Sequence, residues 1–278
     1  MAVLITGCSS GIGKATAQRL AKTEHTVYAT ARKPSDLDEL ARAGCKTLAL
    51  DVTDEASMAR AVAEIERAHG AVGALVNNAG YSQSGAIEAV PLARVRAQFE
   101  TNVFGLVRLT QLVLPAMREA HEGRVINIGS MGGRFTFPGG GFYHASKHAV
   151  EAISDALRLE VAPFGVHVSL VQPGPVRSAF VDAAVGSMDD VDEGPYAEFR
   201  QEITDRMHQA YDGSRTNLEV TPEKVAEVIV AAATSTRPRS RYAVGAMART
   251  LITSRRLLPD VAWDQVMKAA WPTPKGDG

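Results

Sequence analysis

The chain has only two cysteines in 278 residues, Cys8 and Cys45. Their separation matches no metal-ligand spacing, and two thiols cannot staple a domain of this size. A disulfide scaffold and a cysteine-based metal site are therefore excluded, and reduced thiols are expected. Net charge is equally scarce. Thirty basic against 31 acidic residues leave −1, which removes the basic footprint that nucleic-acid binding requires. No apolar run approaches the ~20 residues of a membrane-spanning helix, and no cationic-then-apolar leader precedes Val3. A cytoplasmic location without a membrane span is expected. Internal repeats, low-complexity tracts and Pro/Gly-rich linkers are also missing. One domain over residues 1–278 is expected, with a core large enough to need no covalent support.

What the chain does have is alternation. Ala2 to Thr6, Val27 to Ala31, Thr47 to Leu50, Ala74 to Val76, Arg124 to Ile128 and Val166 to Val171 read as strands. Between them, Lys14 to Lys22, a segment opening at Ser35-Asp36-Leu37-Asp38, Ala56 to Ala68, Val95 to Met117 and Tyr143 to Val161 read as helices. Strands alternating with helices predict an α/β fold whose parallel sheet is covered on both faces. Residues 178–217 break the rhythm. They carry Asp189, Asp190, Asp192 and Glu193 without a clear strand, and at the ligand edge of such a sheet they are a candidate substrate-binding lid, a solvated loop with short helices being the alternative. His208, Tyr196 and Tyr211 in this segment are candidate substrate contacts. Residues 249–278 form a C-terminal extension, in which Arg249 to Trp271 reads as a helix packing on the domain.

Two motifs carry chemistry. After the first strand come Gly7, Ser9, Ser10, Gly11, Ile12 and Gly13, in the spacing G-x-x-x-G-x-G. Strand, glycine-rich turn and helix direct backbone N–H groups and a helix N-terminus at a pyrophosphate; on its own the same loop could be an ordinary tight turn. Tyr143 and Lys147 stand four apart on the expected helix and project from one face. A phenol titrates near ~10. A neighbouring ammonium is expected to lower that value and ready the group for proton exchange.

In order and spacing, Thr6-Gly7-x-x-x-Gly11-x-Gly13, Asp51-Val52, Asn77-Asn78-Ala79-Gly80, Asn102, Ser130, Tyr143-x-x-x-Lys147 and Pro173-Gly174 resemble the short-chain dehydrogenase/reductase family over nearly the whole chain. Tyr28-Ala29-Thr30-x-Arg32, Pro163-Phe164-Gly165-Val166-His167 and Gly174-Pro175-Val176 are similar to its 17β-hydroxysteroid dehydrogenase type 1 and retinol dehydrogenase branch. The resemblance implies a doubly wound Rossmann fold with a seven-stranded parallel sheet. It also implies that Tyr143 exchanges a proton with the substrate oxygen and that Lys147 binds the nicotinamide ribose. Ser130 would hold the carbonyl oxygen, and Asn102 a water leading from Lys147. Asp51 and Val52 would meet the adenine. Asn78, Ala79 and Gly80 would floor the cofactor site, with Pro173, Gly174, Val176 and Ser178 near its carboxamide. A homodimer or homotetramer is the family habit.

Cofactor choice is argued from charge. No carboxylate follows the second strand before Asp36; Arg32 and Lys33 stand there instead. A carboxylate would bind a ribose 2′-hydroxyl and repel a 2′-phosphate, whereas a guanidinium grips the phosphate with a planar fork of donors. With Ser10 as a further donor, NADP(H) is expected, NAD(H) being the alternative. The expected reaction interconverts an apolar alcohol and its carbonyl by hydride transfer, with no metal. Two rival readings fit the sequence less well. A nucleotide-sugar epimerase would want a longer substrate domain and another glycine spacing; a non-catalytic dinucleotide sensor would be expected to lack Tyr143, Lys147 or Ser130.

Overall fold

Alternate residues of the first strand face opposite sides of the sheet, and both sides are apolar. In β1 (Ala2–Ile5) every residue is buried. Val3 and Ile5 join one core with Leu20, Ile126 and Ile229, while Ala2 and Leu4 join another with Leu75, Leu109 and Val125. A strand buried on both faces needs helices on both faces.

The computed structural model describes residues 1–177, 180–188, 194–211 and 220–274, with backbone alone over 209–211. The remaining strands are β2 (Thr26–Ala31), β3 (Lys46–Ala49), β4 (Ala74–Asn77), β5 (Gly123–Ile128), β6 (Val166–Pro173) and β7 (Arg241–Val244). They pair in parallel in the order β3-β2-β1-β4-β5-β6-β7. The order reverses between β1 and β4, and ligands of doubly wound sheets bind at the carboxyl ends of the strands beside such a switch.

The helices are α1 (Gly11–Leu20), α2 (Asp38–Arg42), α3 (Glu55–His69), α4 (Leu92–Phe99), α5 (Leu106–Glu119) and α6 (Gly141–Val161). Beyond them lie α7 (Phe180–Gly186), α8 (Ala197–Tyr211), α9 (Pro222–Thr234), α10 (Ala246–Leu257) and α11 (Asp260–Ala270). Asp54 caps α3 by accepting from the N–H groups of Ala56 and Ser57. Between α4 and α5 the chain widens into a π-helical turn, Glu100–Gly105. Such turns commonly mark functional positions, and this one carries Asn102.

Four sequence expectations shift. The expected tail helix is two helices, because Pro259 cannot continue α10 and stands instead as the N-cap of α11. Ser35 opens no α-helix: Pro34 at the first position starts a 3-10 turn over Pro34–Leu37, and α2 follows with no side-chain cap. β7 was not read from the sequence. The segment 178–217 holds two helices, α7 and α8, within its described part, while Asp189, Asp190, Asp192 and Glu193 lie outside the described residues.

Candidate functional site

The glycine loop forms because only glycine fits it. Gly7 and Gly11 have φ values of 70° and 54°, which L-residues with side chains avoid. At Gly13 a Cβ would stand 2.3 Å from the Gly7 carbonyl oxygen and 2.5 Å from Asn78 Nδ2. Asn78 explains the tightness, since its Nδ2 donates to the carbonyls of Thr6 (2.9 Å) and Gly7 (3.0 Å). In return, Thr6 Oγ1 accepts from the N–H groups of Asn78 (3.0 Å) and Ala79 (2.9 Å). The exits of β1 and β4, neighbours at the switch, are thus sewn together.

Ser10 precedes α1 in extended conformation, and its side chain does not cap the helix. The first turn of α1 also holds no acid, so its N–H groups suit a phosphate. The loop therefore fits a dinucleotide. Ser9, Ser10 and Arg32 are exposed and Ile12 is half-buried. Arg32 follows the last residue of β2, and no carboxylate comes before Asp36. Asp51 Oδ1 accepts from Thr53 N and Oγ1, a local turn at the end of β3. Val52 is buried against Gly105.

On the other side of the switch, α6 lays Tyr143 and Lys147 along one face. Lys147 is buried, and its Nζ donates to the Ile128 carbonyl at 2.8 Å, two residues before Ser130. Burial pulls its pKa down to about 8. The Lys147 ammonium lies 5.8 Å from the Tyr143 ring centroid. Asn102 enters from the π turn. Its Oδ1 accepts from Tyr81 N (3.1 Å), and its Nδ2 donates to Tyr81 O (2.9 Å) and Ser146 Oγ (3.1 Å). Gly80 keeps this corner open, because a Cβ there would meet Asn102 Oδ1 at 3.1 Å and Lys147 Nζ at 3.7 Å. Asn102, Ser130, Tyr143 and Lys147 are accordingly brought to one place beside the glycine loop.

One expectation about this group is corrected. The protein's own groups leave the Tyr143 phenol raised rather than lowered: burial pushes it up, and a hydrogen bond with Ser130 pulls it partly back. Lys147 turns its ammonium to the Ile128 carbonyl. Pro173 ends β6, Gly174 N donates to Val244 O (2.9 Å), and Val176 bridges to Val220; Ser178 lies outside the described residues. Cys8 is buried and pushed up to about 12, its thiol turned to the Ile5 carbonyl, so it is inert in the loop.

Ala86, Gly139, Met188, Tyr196, Phe199, Arg200 and Ile203 line a small cavity between the segment after β4, the turn before α6, and the chain from the end of α7 to α8. Ser187 fastens α7 there: its carbonyl accepts from Gln83 Nε2 (2.7 Å) and Arg94 Nη1 (2.8 Å), and its Oγ from Ser84 N (2.9 Å). Tyr196, singled out in the sequence, lines this cavity and donates to Glu88 (2.7 Å). His208 is exposed, and the Tyr211 side chain lies outside the described residues.

Sequence reading missed Thr6, Ser146 and Gln98. Ser146 Oγ donates to Tyr143 O (2.7 Å) while accepting from Asn102, and buried Gln98 accepts from Gln83 N (2.6 Å). The one local signal is that Thr6 and Ser146 fall inside the glycine and Tyr-x-x-x-Lys motifs.

Comparison with known proteins agrees with this architecture. The short chain dehydrogenase family matches residues 1–188. A 3-ketodihydrosphingosine reductase of Bacteroides thetaiotaomicron is 47% identical over 180 residues, 65% of each chain, so the match spans just under two thirds of that relative. Human 17-beta-hydroxysteroid dehydrogenase type 1 is 38% identical over 273 residues, covering 92% of this chain and 78% of the other. An NADPH-dependent 3-dehydrocapnine reductase of Ornithobacterium rhinotracheale is 35% identical over 272 residues, 95% and 94% of the two chains. A solved short-chain dehydrogenase from Streptomyces avermitilis superposes with a TM-score of 0.75 at 33% identity, covering 96% and 94%. The chain belongs to the short chain dehydrogenase family, and as a member of it is a nicotinamide-dinucleotide-dependent dehydrogenase or reductase.

Proposed function

We propose that the chain is an NADP(H)-dependent oxidoreductase that interconverts a bulky apolar ketone and its secondary alcohol. The carrying observation is the meeting of Ser130, Tyr143 and Lys147 beside a loop that fits a dinucleotide. When bound, the nicotinamide supplies the hydride that the carbonyl carbon accepts, or takes it back from the alcohol. Ser130 holds the carbonyl oxygen by its hydroxyl and steadies the charge that develops there. Tyr143 gives that oxygen its phenolic proton, completing the alcohol; in the reverse direction the phenolate takes the proton back. Lys147 spends one of its three N–H donors on Ile128 O and offers the others to the nicotinamide ribose. Asn102 holds a water that returns a proton from solvent through Lys147. Asp51 and Val52 hold the adenine, Asn78, Ala79 and Gly80 the floor, and Pro173, Gly174, Val176 and Ser178 the carboxamide side.

The apolar side chains that α8 and the end of α7 bring together, Met188, Phe199 and Ile203, support an apolar substrate, with this segment as its lid. Two relatives named as reductases, one of them NADPH-dependent, support the reductive direction and the phosphorylated cofactor. Arg32 supplies the charge for the 2′-phosphate. The test is spectrophotometric turnover of NADPH and NADH against a panel of apolar ketones, with Arg32→Asp alongside. NADPH should be the better donor in the parent protein. In the variant, kcat/KM for NADPH should fall about 30-fold, the worth of a charge-assisted hydrogen bond, while that for NADH holds or rises. NADH preference in the parent protein would reverse the reading of Arg32.

A further inference from the structure

We infer that His144 is a positioning residue for Ser130: its Nδ1–H holds the Gly132 carbonyl, and the N–H of that same glycine, one peptide back, holds the Ser130 hydroxyl. The inference rests on the reading of Ser130 as the group that touches the substrate oxygen.

His144 follows Tyr143 in the sequence, yet its ring turns away from solvent and is 1% exposed. Nδ1 lies 2.8 Å from the Gly132 carbonyl oxygen. A carbonyl only accepts, so Nδ1 carries the proton and Nε2 the lone pair. The tautomer is held in the neutral ring, because burial, against the pull of the Gly132 carbonyl and aided by His148, takes the pKa down to about 4.

The ring is clamped on several sides. A Cβ on Gly132 would stand 2.3 Å from Nδ1, and one on Gly140 2.8 Å from Nε2. Phe137 meets the ring edge-on at 4.3 Å between centroids. From the preceding peptide, across the same glycine Cα, Gly132 N donates to Ser130 Oγ at 3.0 Å. That bond occupies an acceptor site of the hydroxyl and leaves its proton to be directed outward.

Packing alone does not account for the imidazole. Nε2 has no hydrogen-bond partner among the described residues, and a buried nitrogen left unpaired costs free energy that an apolar side chain of similar size avoids. The ring contributes the Nδ1–H, and the only group that receives it belongs to the turn that orients Ser130.

The experiment compares His144→Leu with His144→Asn. Both side chains fork at Cγ and both forfeit the ring contacts, but only asparagine presents an N–H to Gly132. With NADPH and a turned-over ketone, leucine should lower kcat about tenfold, the worth of one lost hydrogen bond, and asparagine should stay within about threefold of the parent. KM for NADPH should not move in either. Ser130→Ala should lower kcat by about 10², and Ser130→Ala/His144→Leu should fall no further. Equal loss in the leucine and asparagine variants, or a leucine loss that adds fully to that of Ser130→Ala, would overturn the inference while leaving the Ser130 reading intact. An unchanged kcat in Ser130→Ala would overturn that reading, and the inference with it. If the leucine variant does not accumulate, Gly132→Ala strains the same bond from the other side and must give the same fall, again absent in the Ser130→Ala background.

Discussion

Tyr143→Phe should lower kcat for ketone reduction by about 10³-fold, within the usual range for a lost general acid, while NADPH binding followed by fluorescence stays near the parent value. The substitution removes one oxygen and leaves the ring. The edge-on contacts with Phe180 (5.6 Å) and His144 (5.7 Å) survive, so thermal stability should hardly change. Because burial raises the phenol above its ordinary value near ~10 and Ser130 only partly offsets this, Tyr143 stays protonated through the neutral range. The sign follows. Reduction, which uses the acid form, should be flat in kcat/KM across neutral pH and fall only in strong alkali. Alcohol oxidation, which uses the phenolate, should climb as pH rises. Identical pH profiles in the two directions, or substantial turnover by the phenylalanine variant, would remove Tyr143 from the proton-transfer role.

The misjudged direction of that shift shows where sequence reasoning stops. Spacing puts a phenol and an ammonium on one face, and the helix delivers them as expected. The sign of the perturbation depends on how much water each retains, and burial sets the direction for both groups. The same boundary separates the strands that were legible from the one that was not. β1 is a continuous apolar run because it is buried on both faces, and β5 and β6 carry apolar residues at most of their buried positions. β7 closes the sheet with four residues, three of them only half-buried. Arg241 in it looks like a surface cation until the fold brings it to the carboxylates of Glu151 and Asp155. In the site, the glycines announce themselves through spacing. Thr6 and His144 fall inside the motifs without disclosing their roles, since each acts on backbone supplied by another element, Asn78 and Ala79 in one case and Gly132 in the other.

Lys147→Met should abolish turnover, by about 10³-fold or more, and yet make the ligand-free protein more stable at neutral pH. Lys147 is buried, is held by the single Ile128 carbonyl, and has its pKa drawn from 10.5 to about 8 by desolvation alone. Such a depression amounts to about 3 kcal/mol against the folded state whenever the lysine is charged in both states. Methionine fills the space without charge and gives back about 1 kcal/mol for the lost hydrogen bond. The net gain of about 2 kcal/mol should lift Tm by about 5 °C. The pH dependence identifies the cause. Below pH 8 the lysine is protonated folded and unfolded, and the full penalty applies. Between pH 8 and 10.5 the unfolded chain keeps a proton that the folded one has released, so the parent protein gains stability as pH rises. The difference in Tm between variant and parent should therefore be largest near pH 7 and shrink towards pH 10. A variant less stable than its parent at pH 7, or a difference that does not narrow with pH, would mean that the ammonium is not strained where it lies. A Lys147 kept charged against its own desolvation is what the proposed ribose and proton-relay roles require, and the stability that methionine restores measures what the fold gives up to hold it there.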